Sequence, residues 1–465
     1  MNTKGIVKKI GVSVAAQLIS LAVSFIMNLI VPKFISEFSY AHWQTYLLYV
    51  NYVGILHFGL LDGILLRYSQ YDYEQLDKPL IRSQYRFLLL INATFSILIA
   101  AYALIATKKI TSAIIILVAI GVITKNSFTY TSYTFQMTNR IANYAKLIIL
   151  QRIVYGILAV ILILVGSDNF VLFCLADLVG DIIGILYGFS SNKSLFLGGT
   201  VCSKKSICEF KANITSGIKL MIATWSSIML VGASRIIIQV RWDELTFGKV
   251  SFAFSLTNLF LTFVTAASVV LFPSLKRMDE RDRPELYKTI REIMSPFLFV
   301  IMVFYFPGCW VLGRWLPKYS VSLTFLGCLL PMIVFSSKTS LLTDNFLKAY
   351  RKEKELLIIN IISVVFAILG FCVCAWVFQS LELLLFWVVI SIMLKSILSE
   401  FAVARIIEYS VCREIIIEII MAIAFVLIAY FCDLFTGFLL YCLLCIGYIF
   451  LHKDIFKYLS TIKNK

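Results

Sequence analysis

Four cations, Lys125, Arg235, Lys338 and Lys395, interrupt long apolar runs of this 465-residue chain. A cation at the centre of a bilayer costs about 3 kcal/mol on insertion scales, so such a residue faces a wet interior and marks a path or a site. The chemistry it offers is anion binding. Arginine grips a phosphate through two parallel hydrogen bonds, whereas lysine acts as a point charge. Arg235, Lys338 and Lys125 are therefore the leading candidates to hold an anionic substrate. Asp177 and Asp181 are four residues apart on one helix face. Two carboxylates so close in a low-dielectric site do not both ionise easily. Either they carry a proton or they neutralise Lys125 or Arg152. Asp62 poses the same choice between ion coupling and pairing with a buried cation.

Polar residues line up with these charges. Ser251, Ser255, Asn258, Thr262 and Thr265 recur at steps of 4, 3, 4 and 3, which is one face of a helix. Lys125, Thr129, Ser132 and Gln136 repeat the pattern. Thr224, Ser227, Arg235 and Gln239 share roughly one side, and Gln44, Asn51 and Asp62 precede Arg67 at a cytoplasmic end. Hydroxyl stripes alone serve close helix packing; a stripe that also carries a cation suits a hydrated cavity better. Lys338 follows Pro331, whose missing donor bends the helix and suits a hinge or cavity wall. Lys395 has serines four residues to either side and can snorkel toward the interface. His42 and His57 read as polar interface residues, and Trp43, Trp242, Trp315 and Trp376 as parts of aromatic belts.

The elements that position these residues are membrane spans. Hydrophobic residues make up 60% of the chain and charged residues 15%, with mean hydropathy +0.90; a soluble domain has nearer a quarter charged. Fourteen charge-poor segments follow one another: 10–35, 43–66, 87–106, 111–133, 147–165, 170–190, 218–240, 247–275, 293–312, 320–346, 356–378, 382–399, 415–432 and 435–451. They are continuous, not alternating, so they are helices and not barrel strands. The first is too long for the core of a signal peptide and reads as an uncleaved span. The net charge of +16 does not point to nucleic acid. Lysine and arginine concentrate on alternate loops, leaving only Lys33, Lys108, Lys109, Arg241, Lys249, Arg314 and Lys318 on the other side. That is the positive-inside rule, and it puts both termini in the cytoplasm. The remaining basic surface attracts anionic lipid headgroups. The 11 cysteines read as small packing residues.

The outer loops are short, and the longest polar stretch, 191–217, reads as a linker. Shifted by 207 positions, residues 11–69 fall on 218–276, with Asn28 on Arg235 and Asn51 on Asn258. Two parallel six-helix lobes follow, 1–200 and 201–405, with a terminal helix pair and tail at 406–465. There is no Walker motif, metal-ligand spacing or catalytic constellation, so the chain reads as a non-enzyme without a cofactor, driven by substrate or ion gradients.

The stretch from Tyr40 through Trp43 to Tyr46, then Phe58 through Asp62 and Gly63 to Arg67 and Tyr68, resembles the early signature of bacterial O-antigen and capsule repeat-unit flippases. Ser251–Asn258 and Val270–Arg277 resemble their seventh and eighth helices. These proteins belong to the multidrug/oligosaccharidyl-lipid/polysaccharide exporter superfamily. The resemblance implies a V-shaped pair of lobes in the cytoplasmic membrane. It implies a cationic cavity between them for an undecaprenyl-pyrophosphate-linked oligosaccharide, flipped by alternating access. From their polar positions, Asn28, Asn258 and Arg67 join the cations as candidate substrate contacts. A polysaccharide polymerase and a chain-length regulator would then be partners. Two rivals share the superfamily: a multidrug exporter, whose cavity should be acidic or aromatic, and a lipid II exporter. A polymerase would need a long outer loop, which is missing.

Overall fold

The computed structural model describes residues 17–106, 108–201 and 204–451, with only the backbone of 263–274, 276–277 and 451. Lys4, Lys8, Lys9, Thr107, Cys202, His452 and the basic tail lie outside the described residues, as does the side chain of Thr265. Everything described is helix, turn or loop. Among the described residues, ten helices are long and apolar enough to cross a membrane, and two bent pairs raise the number to 12. The chain is a multi-pass membrane protein.

It forms two compact units, 1–225 and 226–465. Unit 1 begins with α1 (Gln17–Phe34), whose turn at Ile26–Ile30 is π-helical and contains Asn28. Then come α2 (Glu37–Val50) and α3 (Leu60–Tyr68). These two were expected as one straight span. Instead the chain passes through a 3-10 turn at Val53–His57 and bends by 59°. The cause is local: Phe58 and Gly59 adopt φ of 50° and 80°, a left-handed geometry that ends a right-handed helix. Asp62 therefore lies on a different leg from Gln44 and Asn51, and the three do not form one stripe. Next are α4 (Lys78–Ala106), α5 (Lys109–Met137), α6 (Ile141–Leu164) and α7 (Phe170–Ser191). Half of α5's apolar window is buried against 17% of α4's, which makes α5 the central helix of the unit. It packs against α2, α3, α4 and α7. Trp43, expected in an interfacial belt, is buried against Tyr40 and Phe173, and His42 is buried among the rings of Phe38 and Phe170.

The polar stretch 191–217 is largely helical. A one-turn helix at Lys193–Phe196 is followed by α8 (Lys204–Arg241), and the division between units falls within α8. Unit 2 continues with α9 (Glu244–Arg277), α10 (Arg283–Trp315), α11 (Pro317–Leu329) and α12 (Met332–Ala349). The α11–α12 pair bends by 55° at Pro331, as expected of a residue that cannot donate to the preceding turn. A π-helical turn follows at Lys338–Thr343. Then come α13 (Glu353–Val377), α14 (Leu381–Ile407), α15 (Cys412–Phe431) and α16 (Leu434–Leu451). The last two pack on α11 and α10. Phe425 of α15 meets Tyr305, Phe306 and Tyr441 at ring separations of 5.5, 6.1 and 5.0 Å. The described cysteines are all free thiols.

Candidate functional site

Two clusters of buried charge stand out, one in each unit. In unit 1 the Lys125 ammonium of α5 lies 2.8 Å from a carboxylate oxygen of each of Asp177 and Asp181 on α7. Their spacing places both acids on one helix face, toward α5. The hydroxyl of Tyr46 on α2 donates to Asp177 at 3.1 Å, and the Gln151 amide on α6 donates to Asp181 at 3.3 Å. Four helices thus meet on this triad. The two carboxylates are almost fully enclosed, while the lysine side chain keeps 25% exposure. Counted as ions, the triad carries one positive and two negative charges.

Unit 2 holds a different cluster. Lys338, at the start of the π turn, binds Glu400 of α14 at 2.6 Å and also binds Glu418 of α15. Arg291 of α10 contacts Glu400 and lies 3.6 Å from Glu418. Each cation touches both carboxylates, so the four form a closed ring of alternating charge. No member's side chain exceeds 2% exposure. The ring has two positive and two negative charges and is neutral. Arg291 and Glu400 sit at the edges of predicted spans, where charges are ordinary. Glu418 was the missed signal, because it lies inside the segment 415–432.

The other candidates are dispersed. Arg235 on α8 is half-buried; it donates to Ser251 at 3.2 Å and lies 5.8 and 5.9 Å from the ring centres of Phe247 and Phe254. Asn258 is exposed on α9 and Asn28 half-buried on α1. Lys395 does not snorkel: at 6% exposure it turns inward and donates to Ser227 at 2.8 Å. Asp62 is buried 3.9 Å from His57, whose other ring nitrogen accepts from the Gly59 amide. Arg67, at the end of α3, binds Asn213 and Glu209 on α8 at 2.6 and 2.7 Å, and the Tyr68 hydroxyl joins the same glutamate at 2.6 Å. A cavity of about 380 Å³ opens beside them, lined by Arg67, Tyr68, Tyr71 and Glu209 among others. Of the nine candidates, the structure brings Lys125, Asp177 and Asp181 together. It engages Lys338 and Arg67 with partners outside the candidate set.

No family model matches the chain, and no curated relative matches it either. Solved structures do match in fold. The lipid II flippase MurJ, in an inward closed conformation, superposes with a TM-score of 0.70 at 14% identity, covering 97% of this chain and 99% of that one. An inward-facing multidrug resistance MATE family transporter of the MOP superfamily gives 0.60 at 13% identity, covering 84% and 98%. A MOP superfamily transporter from Pyrococcus furiosus gives 0.50 at 11%, covering 86% and 96%. The architecture is that of MurJ- and MATE-like transporters.

Proposed function

We propose that this chain is a flippase that carries a lipid-anchored oligosaccharide across the bacterial cytoplasmic membrane, from the inner to the outer leaflet. The observation that carries this reading is the reach of the fold likeness. It extends over nearly all of both chains for a lipid II flippase, whereas the MATE transporter leaves 16% of this chain unmatched. The charge argument against an exporter of cationic drugs rests on Arg235, since like charges in a low-dielectric site repel, whereas the ring of unit 2 is neutral and the triad of unit 1 carries a surplus negative charge. The anchor that suits an arginine is a pyrophosphate. With the sequence resemblance to repeat-unit flippases, the substrate is an undecaprenyl-pyrophosphate-linked repeat unit for O-antigen or capsule. Lipid II is the second reading, favoured by the same coverage.

Arg235 is the proposed headgroup contact. Its guanidinium lies half-buried between two phenylalanine rings with Ser251 as a polar neighbour, a setting in which a phosphate bond gains strength. Asn258 and Asn28 offer amides for sugar hydroxyls. Asp177 and Asp181 are the proposed coupling site: with one ammonium for two carboxylates, the triad has room for one more positive charge, a proton or a monovalent cation. Asp62 is a second coupling candidate.

The test is flipping of a fluorescent undecaprenyl-pyrophosphate oligosaccharide in proteoliposomes, with and without a pH gradient. Wild type should flip it, and Arg235→Ala should slow flipping about tenfold or more, the loss expected of one charge-assisted hydrogen bond. Transport of cationic dyes with no movement of the lipid would replace the reading with drug export. Preference for lipid II would select the second reading.

A further inference from the structure

We propose that Arg291, Lys338, Glu400 and Glu418 form an electrostatic latch. It ties the second leg of the broken span, α12, to helix α15, so that the leg moves only together with α15. Three observations carry this. First, the ring joins four separate helices, and each cation lies against both carboxylates, so α12 is tied to α15 twice, directly through Lys338 and Glu418 and again by way of Glu400 and Arg291. Second, Lys338 is placed where the second broken span deforms. It lies seven residues after Pro331, beyond the 55° bend, and is the first residue of the π turn. Bulges of this kind are found mostly at functional positions, because the extra residue re-aims the side chains that follow.

The third observation separates a latch from a simple staple. Helix α15 is already docked by Phe425 on Tyr305, Phe306 and Tyr441, seven residues from Glu418 and on the same face. Docking therefore does not need the ring. Nor does stability in general, since well-packed apolar side chains usually do as well as a buried ion cluster or better. What charges supply that apolar groups do not is a unique register: a ring of alternating sign closes in one arrangement. A bent leg that has to take one position at a time has use for that.

The experiment is hydrogen exchange, read by mass spectrometry, on the full chain in nanodiscs. It needs no substrate, so its outcome is independent of the proposed flippase activity. In wild type, peptides from 332–349 and 412–431 should exchange slowly. In Glu418→Gln both should exchange at least tenfold faster, while α4 and α5 stay unchanged. The double variant Lys338→Met with Glu418→Gln keeps one Arg291–Glu400 pair and is charge-balanced, so it should fold; its 332–349 leg should still exchange fast. If Glu418→Gln does not fold, the double variant is read by the same criterion. Unchanged exchange at 332–349, or acceleration spread equally over all helices, would overturn the latch.

Discussion

The two broken spans bend by similar angles, 59° and 55°, yet they are held in opposite ways. In unit 1 the second leg, α3, is held by backbone. Gly59 and Gly63, four apart, face Gly217 on α8, and a methyl group at Gly63 would overlap the Asn213 carbonyl. This is the small-xxx-small contact that lets two membrane helices approach until their main chains touch. The charges near α3, Arg67 with Glu209, stay at the partly exposed edge, at 32% and 18%. In unit 2 the second leg, α12, packs with apolar residues such as Phe335, Leu342 and Phe346 and is fixed besides by side-chain charge with at most 2% exposure. A glycine contact has no alternative state short of separation. An ion ring fixes one register without main-chain contact, so the leg it holds can move as a body with its partner helix. The contrast suggests a fixed leg in unit 1 and a movable one in unit 2.

The largest expected effect is on the ring. Lys338→Met leaves two carboxylates to one arginine in a dry site, and breaking such a cluster costs about 3–5 kcal/mol. Thermal unfolding in detergent should show it as a clear loss, and adding Glu418→Gln should recover most of it, because charge balance returns. If the double variant is as unstable as the single, the ring is not the unit that matters. The next effect falls on the glycine contact. Gly63→Ala should cost about 1–3 kcal/mol, the usual penalty of overpacking, with no rescue by any charge change. A neutral result there would mean that α3 is not held by its backbone.

A third test compares the charge clusters themselves. Asp181→Asn brings the unit 1 triad to one positive and one negative charge while keeping an acceptor for Gln151. It should change stability by less than about 1 kcal/mol, because it removes a surplus charge instead of stranding one. It should also remove any response of transport to a pH gradient. A loss as large as that of Lys338→Met would erase the distinction between the triad and the ring.

Much of this was legible in the sequence because the bilayer is an unforgiving solvent. Runs of apolar residues set the helices: among the described residues, twelve of the fourteen predicted segments fall on one helix each, and 43–66 and 320–346 fall on bent pairs. The intramembrane cations stood out for the same reason, and the pairing of Asp177 and Asp181 with Lys125 was one of the two alternatives that their spacing left open. What hydropathy does not encode is direction. Phe58 is apolar, so the left-handed turn it makes with Gly59 was hidden inside a hydrophobic run. Arg291 and Glu400 lie where a span meets its flanks, and periodicity does not say that they turn inward to meet Lys338. Lys395 shows the converse: flexible enough to reach the interface, it takes Ser227 instead.

The smallest effect belongs to the charges at the aqueous edge of unit 1. Asp77 precedes α4; it accepts from Lys205 at 2.9 Å and from the Leu80 amide at 3.1 Å. Those bonds, the lysine's first, hold its carboxyl below the ordinary 3.8. A depressed folded-state value means a stabilising contribution that is complete above the unfolded value and is lost as pH falls through the folded one. Asp77→Asn should therefore cost a few tenths of a kcal/mol at neutral pH, the usual worth of an exposed pair. The difference from wild type should vanish below the carboxylate range and shrink in 1 M salt, where screening reaches about 3 Å. The ring, shielded from water, should show no such response to salt. Equal salt sensitivity in the two places would mean that water reaches Lys338, and the contrast between the legs would then rest on the glycines alone.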